Sequence, residues 1–163
     1  MNERILLTAF RGTSSELLLH DCGCDTLLLP SHRVKDAEML VSALENRDYT
    51  YIFSFGQRPN IKNKVHIETT ARNGERWIDT DFHVENLREL FEKQGIPAKI
   101  SHNAGTSYCN SIYWNGLFHI TEQNLQAKMV FIHVPFAKNI VNMQAFKEGI
   151  LKTIFEITTA NEA

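Results

Sequence analysis

The sequence predicts an α/β protein, a three-layer α/β/α sandwich built on a mostly parallel, mixed central sheet. Five short apolar runs, at residues 4–10, 26–30, 51–56, 97–101 and 129–134, read as strands. Several are apolar on both faces, the pattern of strands covered by helices on either side. Longer amphipathic stretches at 34–46, 84–94, 110–121 and 143–157 supply those helices. With 163 residues, 43% hydrophobic content and no internal repeat, the chain reads as one domain over residues 1–163.

Taken in order, the first run follows Arg4 with Ile5-Leu-Leu-Thr-Ala-Phe10. It is too short for a signal sequence and gives way to polar and charged residues. The second run ends at Leu29-Pro30, ahead of the first helix. Gly95-Ile96-Pro97 carries a helix stop and turn between the second helix and the fourth strand. Residues 57–64 and 72–81 are polar or hold Gly and Pro. They read as loops near the C-terminal strand ends, where open α/β sheets place ligands. Residues 158–163 read as a frayed tail.

The net charge of -2 and a pI near 6.4 provide no basic stripe for phosphates, which argues against nucleic acid. No long apolar run suggests a membrane span. Three cysteines leave one unpaired in any disulfide scheme, and a domain of this size needs no such staple. A cytoplasmic, reducing setting is expected.

The chemistry concentrates in Asn103-Ala-Gly-Thr-Ser-Tyr-Cys109-Asn110, a small-residue turn between a strand and a helix. It delivers Cys109 to the helix's first turn, where unpaired N–H groups and the helix dipole stabilise a thiolate and can donate to an oxyanion. A buried structural cysteine is the competing reading. A cysteine nucleophile needs a base, and the base needs a group that orients it. Val130-Phe-Ile-His133-Val-Pro135 is an apolar strand that ends on an imidazole at the sheet's rim, directly after the Cys109 helix. Its competitor is an ordinary strand histidine. In Val65-His-Ile-Glu68-Thr-Thr, a carboxylate interrupts a β-prone run and, if buried, needs a donor or cation. An exposed edge glutamate is the alternative. His66 shares a strand face with Glu68, and His119 lies a helix length from Cys109, so neither has the better case. Cys22-Gly-Cys24 lacks the second ligand pair of a zinc site. Gly56-Gln-Arg-Pro59 lacks the glycines and lysine of a phosphate loop, and reads as a substrate-lining or ordinary turn.

These blocks together resemble the pyroglutamyl peptidase I (pyrrolidone-carboxylate peptidase) family of cysteine peptidases. The resemblance runs in order across the chain. Ala104-Gly-Thr-Ser-Tyr-Cys109-Asn110 is similar to the family's nucleophile motif, and Phe131-Ile-His133-Val-Pro135 to its histidine strand. Glu68, with Ala71 and Asn73 after it, resembles the glutamate motif, although the flanking residues differ. Thr8-Ala-Phe10, Leu29-Pro30, Phe55-Gly56-Gln57 and Gly95-Ile-Pro97 match further turns and strand ends. The resemblance implies a phosphorylase/hydrolase-like fold. It also implies that Cys109 attacks an N-terminal pyroglutamyl group of a peptide or small amide, that His133 moves the proton and that Glu68 orients the histidine. Phe10 would wall the lactam pocket, Gln57 would help recognise the ring amide, and Arg76 would stand in for a family arginine. No cofactor or metal is implied, and homo-oligomers are, with the apolar C-terminal helix a candidate interface.

The chain departs from the family at functional places. It is shorter by several tens of residues, and Arg11-Gly-Thr-Ser-Ser-Glu-Leu-Leu-Leu-His20 replaces the usual Pro-Phe-Gly-Gly turn and first helix. The loop after the glutamate block shrinks to residues 72–79. The alternative to a working peptidase is therefore a weak or inactive homologue that binds a small molecule or protein in the same cleft.

Overall fold

Strands apolar on both faces must be sandwiched, and that requirement organises the molecule. The computed structural model describes residues 2–160, the side chains of Asn2 and Glu3 excepted. Its elements are β1 (Asn2–Phe10), a 3-10 helix (Ser14–Leu19), β2 (Cys24–Leu29), α1 (Arg33–Asn46), β3 (Tyr51–Arg58) and β4 (Val65–Glu68). There follow β5 (Thr70–Asn73), β6 (Arg76–Asp79), α2 (Val84–Lys93), β7 (Ala98–Ser101), α3 (Tyr108–Glu122), β8 (Lys128–Pro135), a second 3-10 helix (Ala137–Asn139) and α4 (Met143–Ala160). The six-stranded sheet has the order β2-β1-β3-β8-β4-β7. Its first four strands are parallel, β4 runs antiparallel to β8, and β7 runs parallel to β4. The sheet is thus mixed and mostly parallel, as the sequence predicts.

One face of the sheet packs against α2, α4 and the first 3-10 helix through Ile5, Leu7, Phe53, Phe55, Val130 and Ile132. The other packs against α1 and α3 through Leu6, Phe10, Ile52, Met129 and Phe131. Alternation along each strand makes these two sets distinct. Helix α3 lies close on β8 because residue 116 is glycine: a Cβ there would stand 2.3 Å from Met129 Sδ. Helix α2 stops as expected. Gly95 takes φ +79°, its N–H bonds to Glu92 O and the Ile96 N–H to Phe91 O, which closes a Schellman cap.

Three expectations change. Residues 72–81 are not loop: most of them form the β5–β6 hairpin, turned at Gly74 (φ +64°) and Glu75 and packed on α3. Gly74, with positive φ at the first of the two turn positions, is the glycine that a two-residue hairpin loop favours there. Residues 57 and 58 extend β3. Of the expected tail, Thr158–Ala160 continue α4, and Thr158 is buried with its hydroxyl donating to Ile154 O. Residues 161–163 lie outside the described residues. Among the described residues no helix is long and apolar enough to cross a membrane.

Candidate active site

The site forms where β3, β8, β4 and the first turn of α3 meet, on the α1/α3 face of the sheet. Gly56 on β3 pairs in register with His133 on β8, and His133 pairs with His66 on β4. Paired residues project to the same side, so His66, Glu68 and His133 share one face with the bare position at Gly56. Cys109 fills that bare position. A Cβ on Gly56 would lie 2.5 Å from Cys109 Sγ and 2.8 Å from the Phe131 ring. Only glycine lets the thiol settle onto β3 beside the strand that carries His133.

Glu68 is fully buried. Its Oε2 accepts from His133 Nδ1 at 2.8 Å and from Arg58 Nη1 at 3.0 Å. With Nδ1 donating to the carboxylate, the lone pair of His133 sits on Nε2, the tautomer a general base needs. A buried carboxylate stands only if it is paired, and here a cation and an imidazole both meet it. Tyr113 adds a backbone tie, its hydroxyl donating to Glu68 O at 2.8 Å.

Arg58 was not among the residues singled out from the sequence. Its Nη1 also lies 3.3 Å from His66 Nδ1, and its Nη2 donates to Asn103 O at 2.8 Å, in the turn that leads to Cys109. One side chain therefore links the glutamate, the second histidine and the cysteine loop. The signal was present as Glu68's need for a cation, but Arg58 stands ten residues earlier on a strand separated from β4 by β8. Burial pushes the His66 pKa down, and the nearby positive charges of Arg58 and Lys64 push it further.

Cys109 sits in the first turn of α3, one residue into the helix, as expected. Its charge state differs from the expectation. Burial pushes the thiol up to about 12, and the Glu68 charge adds to this. Arg58 and the residue's own backbone N–H act in the opposite sense and are outweighed. Desolvation wins over the helix terminus, so the resting group is a neutral thiol that must give up its proton as it reacts.

The remaining predicted residues divide. Phe10 is buried in the same apolar cluster as Cys109, Ala104 and Phe131. Gln57 Oε1 accepts from Ser14 N at 3.0 Å, and Ser14 Oγ donates to Pro135 O at 2.6 Å. The segment after Phe10 is thus pinned over the ends of β3 and β8. Arg76 is not gathered with the others. Its guanidinium stacks over Trp114 and Phe118, 5.3 and 5.6 Å from the ring centroids, further along α3. His119 lies in the last turn of α3. Cys22 and Cys24 flank the start of β2, each thiol donating weakly to the other's carbonyl, at 3.7 and 3.8 Å. Among the described residues no group of three or more His, Cys, Asp or Glu is placed to hold a metal ion.

The profile of the pyroglutamyl peptidase family matches residues 77–152, a span that includes Cys109 and His133 and leaves Glu68 outside. The pyrrolidone-carboxylate peptidase of Brachyspira hyodysenteriae is 28% identical over 131 residues, 68% of this chain and 65% of that protein. The chain thus spans just under two thirds of that curated relative. Among solved structures, the pyrrolidone carboxyl peptidase of Fervidobacterium islandicum AW-1 superposes with a TM-score of 0.87 at 17% identity, covering 97% of this chain and 99% of that one. Pyroglutamyl peptidase I of Bacillus amyloliquefaciens gives 0.81 at 18% identity, covering 93% and 95%. These superpositions show the shared fold, and the profile and the sequence relatives make residues 77–152 similar to the pyroglutamyl peptidase family.

Proposed function

We propose that this protein is a cysteine peptidase that removes an N-terminal pyroglutamyl group from peptides or related amides. The observation that carries the reading is the buried His133–Glu68 pair at 2.8 Å beside a thiol seated over Gly56. In the first step Cys109 Sγ bonds to the pyroglutamyl carbonyl carbon as its proton passes to His133 Nε2. His133, held by Glu68, returns the proton to the leaving nitrogen as the amide bond breaks, leaving a thioester. Water then attacks the thioester, again with His133 taking the proton, which frees pyroglutamate and the thiol. N–H groups in the first turn of α3 lack intrahelical partners and are suited to hold the oxyanion. Phe10 supplies an apolar wall for the lactam, and the amide nitrogen of Gln57 a donor for its carbonyl. Arg58 pairs with the Glu68 carboxylate and ties the cysteine loop to it.

The chain is read as one domain over residues 1–163, working in a reducing compartment where its three free cysteines stay thiols. The burial of Cys109 is the observation that favours the second reading, a binding protein without turnover. Hydrolysis of a fluorogenic pyroglutamyl amide decides between them. Turnover that disappears in Cys109→Ala supports the peptidase, and no turnover by the wild type under reducing conditions leaves the binding protein.

A further inference from the structure

Beside the cysteine loop, a cleft of about 550 Å³ opens between the start of α1, the β5–β6 hairpin and the outer face of α3. Two arginines from separate elements line it, Arg33 and Arg72, and no Asp or Glu does. Both are exposed. Arg33 is held in place: its Nη2 donates to Thr106 O at 2.9 Å, and its guanidinium lies over the Tyr108 ring, 5.7 Å from the centroid. Arg72 is fixed through its backbone, whose N–H and carbonyl both bond to the Asn110 side chain at 2.9 Å. The rest of the lining is mostly neutral polar, with Trp114 at its edge.

The cleft and the catalytic groups share a wall. Asn103 lines the cleft while its carbonyl accepts from Arg58, which is bonded to Glu68, and Asn110 follows Cys109. The cleft is lined by Asn110, the residue after Cys109, and by Asn103, Gly105 and Thr106 of the turn that leads to it, so it adjoins the loop from which a peptide leaves Cys109. A volume of this size suits several side chains rather than one small ion. Paired guanidinium forks without a counter-carboxylate select carboxylates and repel cations. The geometry points to a subsite for an acidic leaving peptide: the chain prefers pyroglutamyl peptides whose next residues are Asp or Glu. This rests on the acyl reading above.

The test is direct binding to the Cys109→Ala protein, which cannot cleave. C-terminally amidated pyroglutamyl-Glu-Glu and pyroglutamyl-Lys-Lys are titrated at low salt by calorimetry and by Trp114 fluorescence. The expected result is about tenfold tighter binding of the acidic peptide, weakening with salt. Arg72→Glu is expected to abolish the preference and Arg33→Gln to reduce it, with melting curves confirming that both fold. Equal affinities, no saturable binding of the acidic peptide, or a preference that survives Arg72→Glu overturns the subsite. So does inorganic phosphate binding as tightly as the peptide, which would make the cleft a general anion site. Wild-type turnover of a neutral fluorogenic pyroglutamyl amide separates the two claims. No turnover with the preference intact removes the acyl reading and keeps the subsite, and turnover without preference does the reverse.

Discussion

The carboxylate of Glu68 is the residue on which most of the site's geometry depends. Replacing it by glutamine preserves the shape and removes the charge that holds His133 and Arg58. Glu68→Gln is expected to lower kcat by about 10²- to 10⁴-fold with a smaller change in KM, as loss of an orienting carboxylate does elsewhere. A kcat within a factor of about three of wild type would show that the pair is structural. Gly56 makes a second residue-level claim. The Cβ of Gly56→Ala would overlap Cys109 Sγ and the Phe131 ring. It should destabilise the fold by about 1–3 kcal/mol and lower kcat by about 10²-fold through displacement of the thiol. Denaturant melts and steady-state kinetics on one preparation check both effects. The third claim concerns protons. The folded chain raises the Cys109 pKa from 9.0 to about 12, so it holds this proton more tightly than the unfolded chain does. That contribution is complete below about pH 9 and is lost as the pH rises toward 12. Cys24 and Tyr49, both raised to about 12, act in the same sense. Between about pH 8 and pH 10.5, chemical denaturation should therefore show wild type losing more stability than Cys109→Ala. Equal losses would contradict the burial account.

Among the elements, the β5–β6 hairpin best separates what the sequence discloses from what it hides. Strands β1, β3 and β8 were legible because a run apolar on both faces has few other places to go. The hairpin was hidden because its residues are short, polar and mostly exposed, and because only packing on α3 gives it a face to bury. Its Arg76 makes the point. A motif comparison gives that arginine a substrate role, whereas the structure spends it on Trp114 and Phe118. Arg76→Ala is expected to cost about 0.5–1 kcal/mol, the size of a partly exposed cation–π contact, and to leave KM for a neutral pyroglutamyl amide unchanged. A severalfold rise in KM would return the arginine to the substrate. The direction of β4 was hidden for a different reason. Whether a four-residue strand pairs parallel or antiparallel is decided by neighbours far off in sequence, and here the antiparallel β4–β8 pairing sets Glu68 on the same face as His133.

At the scale of the whole molecule, Cys109, His133 and Glu68 could be named from the sequence, since each is a chemically anomalous residue in an apolar or small-residue setting. Their common location could not, because it depends on the strand order that places β8 between β3 and β4. Arg58 and the neutral state of Cys109 follow from that assembly alone. Around the sheet face that carries Cys109, His133 and Glu68, the segment after Phe10 forms a 3-10 helix pinned to Gln57 and Pro135. The central claim is the proposed one, that this face delivers a pyroglutamyl group to Cys109. The most direct measurement is labelling with a pyroglutamyl chloromethyl ketone, read by intact mass and peptide mapping, in wild type and in His133→Ala. The account predicts one adduct, on Cys109, formed much faster than with a chloromethyl ketone lacking the lactam and slowed strongly by His133→Ala. A label on Cys22 or Cys24, or equal rates for the two reagents, would contradict it.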